Sequence, residues 1–145
     1  MKKLLLALMI CAVAAPGLHA QNNAKDDHET TELGKSMDDL SAAFKKLRRQ
    51  IKDPANNASS LALIKDIRAA AEKSIKQTPA LAADQPADKR DAFVAAYQKK
   101  MREFITTLEP LEAALKANKN DDAAELVTKL GGMQKQGHKE FKKPD

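Results

Sequence analysis

The sequence predicts an all-α protein, folded as an antiparallel four-helix bundle with up-down-up-down topology. The composition favours helix, because Ala, Leu, Lys, Glu and Asp are abundant while Trp is absent and Gly is rare. Apolar residues also recur every three or four positions in four separate stretches, which is the spacing of helices with one buried face. Short links between the stretches favour antiparallel neighbours.

Residues 1–20 have the pattern of a cleaved secretion signal. Lys2 and Lys3 precede an apolar run from Leu4 to Val13, and Ala20 is the small residue that signal peptidases prefer. The run is too short to span a bilayer as an ordinary helix. We therefore expect an exported protein without stable membrane insertion, with a flexible leader at residues 21–30 and the bundle domain at residues 31–145.

Charge and cysteine usage exclude several functions. Cleavage would remove Lys2, Lys3 and the only cysteine, Cys11, so the formal net charge falls from +5 to +3 and no thiolate remains. This excludes covalent haem attachment through cysteines and thiolate-based zinc or iron–sulfur sites. The mixed charges predict no nucleic-acid binding. The sequence lacks a nucleophile beside a base, a phosphate-binding glycine loop and paired buried carboxylates, so we predict that the protein is not an enzyme.

The first two helices are predicted from their apolar stripes. Helix one runs from about Thr31 to Ile51, with Thr30 or Thr31 as its cap and Pro54 just beyond its end. Its stripe consists of Leu33, Met37, Leu40, Phe44, Leu47 and Ile51. Helix two runs from about Ser59 to Gln77, and its stripe consists of Leu61, Ile64, Ile67, Ala71 and Ile75.

Helix three overlaps the end of the linker TPALAADQPAD and runs from about Ala87 to Ala117, with a kink expected at Pro110. Its stripe consists of Phe93, Tyr97, Met101, Phe104, Leu108, Leu111 and Leu115.

Helix four is predicted from about Asp121 to Lys142, with Asn120 as its cap. Its stripe consists of Ala123, Val127, Leu130, Gln134, His138 and Phe141. Gly131 and Gly132 lie in the middle of this helix, where each costs about 0.5 to 1 kcal/mol relative to Ala. Either a bulky group needs room beside them or the helix is simply weak.

The topology brings two possible metal ligands together. In an up-down-up-down bundle, the start of helix one and the end of helix four lie at the same end, so Met37 and His138 should meet there, both facing the core. Either residue alone has an ordinary explanation, as core filler or as a favourable charge at a helix end. Together, a thioether and an imidazole on opposite helices form a known axial pair for haem iron. Phe93 and Tyr97 should reach the same end and pack on a porphyrin face.

The same residues are compatible with two other functions. A haem-free bundle binding cuprous ions through Met37, Met133 and His138 is one, because sulfur and imidazole suit that metal. A purely structural or adaptor bundle is another.

Four segments in order, TELGKSMDDL, DIRAAAEKSIKQTP, DAFVAAY and GHKEFK, resemble the cytochrome b562 family over nearly all of residues 21–145. The resemblance implies a periplasmic four-helix bundle that binds one non-covalent haem b and transfers electrons to an unidentified periplasmic redox partner. It implies Met37 and His138 as axial ligands of the iron, with Phe93 and Tyr97 packed on the haem. We expect a monomer or a weak dimer.

Two positions depart from the family pattern. Gln134 stands where the resemblance implies an arginine, and Gly137 stands where it implies a tyrosine. A charge partner for a haem propionate is therefore missing, and Lys135, Lys139 or Lys142 is expected to replace it.

Overall fold

The computed structural model describes residues 31–143, so the predicted signal and leader lie outside the described residues. This part of the chain contains four α-helices and no strand, which confirms the all-α prediction. The helices are α1 (Glu32–Gln50), α2 (Asn57–Ile75), α3 (Arg90–Lys116) and α4 (Asn120–Phe141). None of them combines the length and the apolar character that crossing a membrane requires.

Contacts between consecutive helices join opposite helix ends. At the end of α1, the Gln50 side chain donates to Ser60 near the start of α2 (2.9 Å). The Tyr97 hydroxyl near the start of α3 donates to the Ser74 carbonyl at the end of α2 (3.1 Å), and its ring packs on Phe141 at the end of α4. The Asn57 side chain at the start of α2 also donates to the Leu115 carbonyl near the end of α3 (3.3 Å). These contacts agree with the up-down-up-down path that the sequence predicts.

The core is built from the predicted apolar stripes, because the apolar face of each helix is removed from water only when it packs against the others. Its buried members from the four helices are Leu40, Phe44, Leu47, Ile64, Ile67, Ala71, Phe104, Leu108, Leu111, Leu115, Ala123, Val127 and Leu130. Stripe residues nearer the start of α1 and the end of α4, such as Met37 and Gln134, are only half-buried. The bundle thus has two different ends. At the closed end, the end of α1 meets the start of α4. The open end, at the start of α1 and the end of α4, is less tightly packed.

The two predicted helix caps have different outcomes. Thr31 caps α1, since its hydroxyl accepts a hydrogen bond from the Gly34 amide (3.0 Å). The prediction that Asn120 caps α4 is wrong. Asn120 is the first residue of the helix, and its buried side chain donates instead to the Ile51 carbonyl (2.7 Å) and to Asn57 (2.8 Å).

The connections are more ordered than their sequences predict. Short 3-10 helices occupy Pro54–Asn56, Ala80–Asp84 and Ala87–Lys89, so α2 begins earlier than predicted and α3 begins later. In the loop before α3, Pro79 and Ala82 are buried, and Asp84 pairs with Lys143 after α4 (2.9 Å). The loop therefore packs against the open end of the bundle, mainly through its buried residues. Helix α3 continues through Pro110.

Candidate functional site

The open end contains a cavity of about 150 Å³ between α1, α3, α4 and the loop before α3. Its apolar lining comes from all four segments and consists of Leu33, Met37, Leu40, Pro79, Tyr97, Met101, Phe104, Met133 and Phe141. Polar and charged side chains complete the lining, among them Lys100, Gln134, His138 and Lys142. A concave, mostly apolar site with a few polar groups is the usual form of a ligand pocket.

The structure brings Met37 and His138 to this one cavity from opposite ends of the sequence. Met37 lies in the second turn of α1 and is half-buried, so its thioether belongs to the cavity wall. The prediction that His138 faces the core is wrong in this structure, because its side chain is exposed at the cavity rim. The final turns of α4 lie beside an open cavity rather than a packed core. His138 therefore remains accessible to a ligand that enters from solvent.

Three aromatic rings form one cluster beside the cavity. Tyr97 is buried and lines it, whereas Phe93 is half-buried and is not part of the lining. Phe141 lines the cavity and packs edge-to-face against both other rings, with centroid distances of 5.2 Å to Phe93 and 5.5 Å to Tyr97. Sequence reasoning assigned Phe141 only to the core stripe. Its position one turn after His138 was the signal for a place in the site.

The Tyr97 hydroxyl has a fixed partner and an altered acidity. Burial raises its pKa to about 12, and the hydrogen bond to Ser74 offsets part of that rise. A phenol held in this way is neutral and donates to the Ser74 carbonyl at all physiological pH values. The ring is therefore a rigid, uncharged wall of the cavity.

The cations at the cavity differ from those expected from the sequence. Lys142 lines the cavity, but Lys135 and Lys139 do not. Lys100 on α3 also lines it and forms a loose, half-exposed pair with Glu103, which is part of the lining as well (3.6 Å). Sequence reasoning missed Lys100, although its position one turn after Tyr97 on α3 placed it near the same end.

Gln134 and Gly137 show what stands at the two positions that depart from the family pattern. The Gln134 amide lines the cavity and donates to the Ser41 hydroxyl on α1 (3.0 Å). Gly137 also lines it, and a Cβ atom built there would have no heavy atom within 4 Å. Gln134 thus provides an amide that bridges α4 and α1 instead of an arginine charge. Gly137 leaves open space instead of a tyrosine ring.

The donor set suits a haem better than a bare hard cation. Within residues 31–143 no group of three or more His, Cys, Asp and Glu side chains could hold a metal ion. The cavity instead offers a soft thioether and an imidazole, apolar walls, and two lysines in its lining. These features fit a flat apolar group that carries a central iron and acidic substituents. The fold and the cavity together define a four-helix bundle with a cytochrome-like site.

Comparison with protein families agrees with this class. The family model described as cytochrome b562 matches residues 32–142. The chain belongs to the cytochrome b562 family, as its sequence resemblance predicted. This family consists of electron carriers rather than typical enzymes, and membership implies a haem cofactor. Searches of curated proteins and of solved structures gave no significant match.

Proposed function

We propose that this protein is a periplasmic electron carrier that binds one non-covalent haem b, with Met37 and His138 as the axial ligands. The observation that carries the proposal is the presence of both side chains on one apolar cavity, although they lie far apart in the sequence. When bound, haem supplies a one-electron couple between ferrous and ferric iron. Two protein ligands leave no coordination position for a substrate, which suits a carrier and not an enzyme.

The cavity residues have separate tasks in this proposal. The Met37 thioether is a soft ligand that favours the ferrous state and so raises the reduction potential. Tyr97 and Phe141 supply apolar walls that exclude water. Lys100 and Lys142 supply positive charge for the propionates, replacing the missing arginine. Gln134 holds α1 beside α4 through Ser41.

Ligand entry requires the open end to adjust. The cavity of about 150 Å³ lies below the range of roughly 300 to 1,000 Å³ that is typical of ligand pockets. His138 is exposed, and Phe141 is half-buried near the end of α4, so both can move without disturbing the packed core. The closed end provides the rigid frame.

Titration with hemin tests the proposal. The purified protein should bind one equivalent and give a low-spin spectrum, and Met37→Ala and His138→Ala should each shift it to a high-spin or water-ligated form. Met133→Ala is the matched control, because it removes another thioether from the same cavity and should leave the spectrum low-spin. An unchanged spectrum in Met37→Ala would rule this residue out as a ligand. Fractionation of expressing cells tests the periplasmic location.

A cuprous site is the second candidate, and one observation favours it. Met37, Met101 and Met133 all line the cavity together with His138, a soft set that suits copper in its reduced state. Parallel titrations with hemin and with cuprous ion separate the candidates through the melting temperature, which rises for any ligand that binds only the native state. A purely structural or adaptor bundle predicts a rise with neither.

A further inference from the structure

A basic groove lies between α1 and α4. It is lined by Ser41, Phe44, Lys45, Arg48, Arg49 and Gln134. Within residues 31–143, Lys45, Arg48 and Arg49 take part in no ion pair. The surrounding segment, residues 45–52, also contains Lys46 and Lys52 and no acidic residue. The groove is therefore a concentrated positive surface whose charges have no partner within the described chain.

The groove and the cavity share one lining residue. Gln134 lines both, and its amide donates to Ser41, which lines the groove (3.0 Å). A molecule that rests in the groove thus lies on the far side of Gln134 from the proposed haem site. Electron transfer weakens steeply with distance, so a partner that docks where Ser41 and Gln134 line the groove is best placed for exchange with the proposed haem.

We infer that the basic groove is the docking surface for an acidic electron-transfer protein, an inference that rests on the proposed function. Carboxylates on such a partner match the guanidinium groups of Arg48 and Arg49, which bind carboxylates in a bidentate manner. No existing ion pair has to break for these contacts to form. Complementary charge mainly raises the rate of encounter, and this suits a short-lived complex between redox proteins.

Charge removal in haem-loaded protein tests the inference. The groove variant carries Lys45→Gln, Arg48→Gln and Arg49→Gln. The control variant carries Lys65→Gln, Lys73→Gln and Arg102→Gln, which remove the same net charge from exposed positions on α2 and α3. The measured quantity is the rate at which each reduced protein is oxidised by anionic hexacyanoferrate(III), with cationic hexaammineruthenium(III) for comparison.

We expect the groove variant to react with the anionic oxidant about tenfold more slowly than the wild type at low salt. The difference should shrink as salt screens the charges, and the cationic oxidant should not be slowed. Equal slowing in the groove and control variants would overturn the inference, since only net charge would then matter. Failure of hemin to bind at all would instead refute the proposed function, and the absorption spectrum shows this before any rate is measured.

Binding of haem-free protein to poly-L-glutamate and to anionic lipid vesicles tests the chemical nature of the partner. The inference requires poly-L-glutamate to bind the wild type and the control variant, and to bind the groove variant more weakly. If anionic vesicles bind through the groove while poly-L-glutamate does not, the surface recognises lipid and the inference is wrong.

Discussion

A buried amide cluster at the closed end connects all four helices, and its loss should destabilise the bundle. Asn57 and Asn120 are only 9% and 8% exposed. The Asn120 amide donates to the Ile51 carbonyl after α1 (2.7 Å) and to the Asn57 side chain on α2 (2.8 Å). Asn57 in turn donates to the Leu115 carbonyl near the end of α3 (3.3 Å) and to Asn118 (2.9 Å).

We expect Asn120→Ala to lower the free energy of unfolding by about 2 to 4 kcal/mol. The substitution removes both hydrogen bonds that the Asn120 amide donates, so the Ile51 carbonyl and the Asn57 amide oxygen lose this donor. Leaving a buried group unsatisfied costs about 1 to 3 kcal/mol, and two such groups at about 1 to 2 kcal/mol each give the expected loss. For a domain of this size, the melting temperature should fall by roughly 10 °C.

Thermal and urea unfolding of the haem-free protein, followed by circular dichroism, measures this effect without added stability from a ligand. Asn118→Gly is the matched control. Asn118 is exposed at the edge of the same cluster and has a left-handed backbone (φ 55°), which glycine adopts without strain. Its replacement should cost less than about 1 kcal/mol. Equal stability of Asn120→Ala and Asn118→Gly would refute the reasoning that buried amides stabilise the closed end.

Three further substitutions test other parts of the structure. Tyr97→Phe should lower stability by about 1 kcal/mol at neutral pH. The pKa of Tyr97 in the folded protein, about 12, lies above its unfolded value. The free energy of unfolding of the wild type should therefore fall by up to about 3 kcal/mol as pH rises from 10 to 12. Tyr97→Phe should lack this loss when urea unfolding is measured across the same pH range. Gly132→Ala should raise stability by about 0.5 to 1 kcal/mol, since its Cβ would meet nothing within 4 Å, and should leave hemin affinity unchanged. Lys100→Gln should weaken hemin binding about twofold to fivefold in titrations, whereas Lys99→Gln, outside the cavity, should not.

The fold was predictable because burial of apolar faces dominates its energetics. A spacing of three and four residues identified all four helices and most of their buried members, such as Leu47, Ile64 and Leu108. The helix boundaries were less predictable. Side chains and turns compete for the same backbone groups there, so the 3-10 turn Ala87–Lys89 delays the start of α3.

Topology predicted which residues lie at the same end of the bundle, but it did not predict the detailed lining of the site. Counting chain reversals placed Met37 and His138 at one end, and the structure lines one cavity with both. Their roles as ligands stay predictions. The placement of Lys100 and Phe141 depends on how α3 and α4 rotate against each other, which periodicity alone does not specify. The amide cluster was missed for a similar reason, since Asn57 and Asn120 lie far apart in the sequence and meet only in the folded chain.

The two ends of the bundle contribute differently, since the closed end stabilises the fold and the open end contains the candidate ligand site. At the closed end, buried amides and fully packed Leu and Ile side chains join the helices, whereas at the open end the candidate ligands are half-buried or exposed. Regions that must admit a ligand generally have low local stability, so the strongest contacts lie elsewhere. Gln134 illustrates the division. It replaces the arginine that the family resemblance implies, and its hydrogen bond to Ser41 holds α1 near α4 without supplying charge. Under the proposed function, Lys100 and Lys142 supply the charge for a haem propionate.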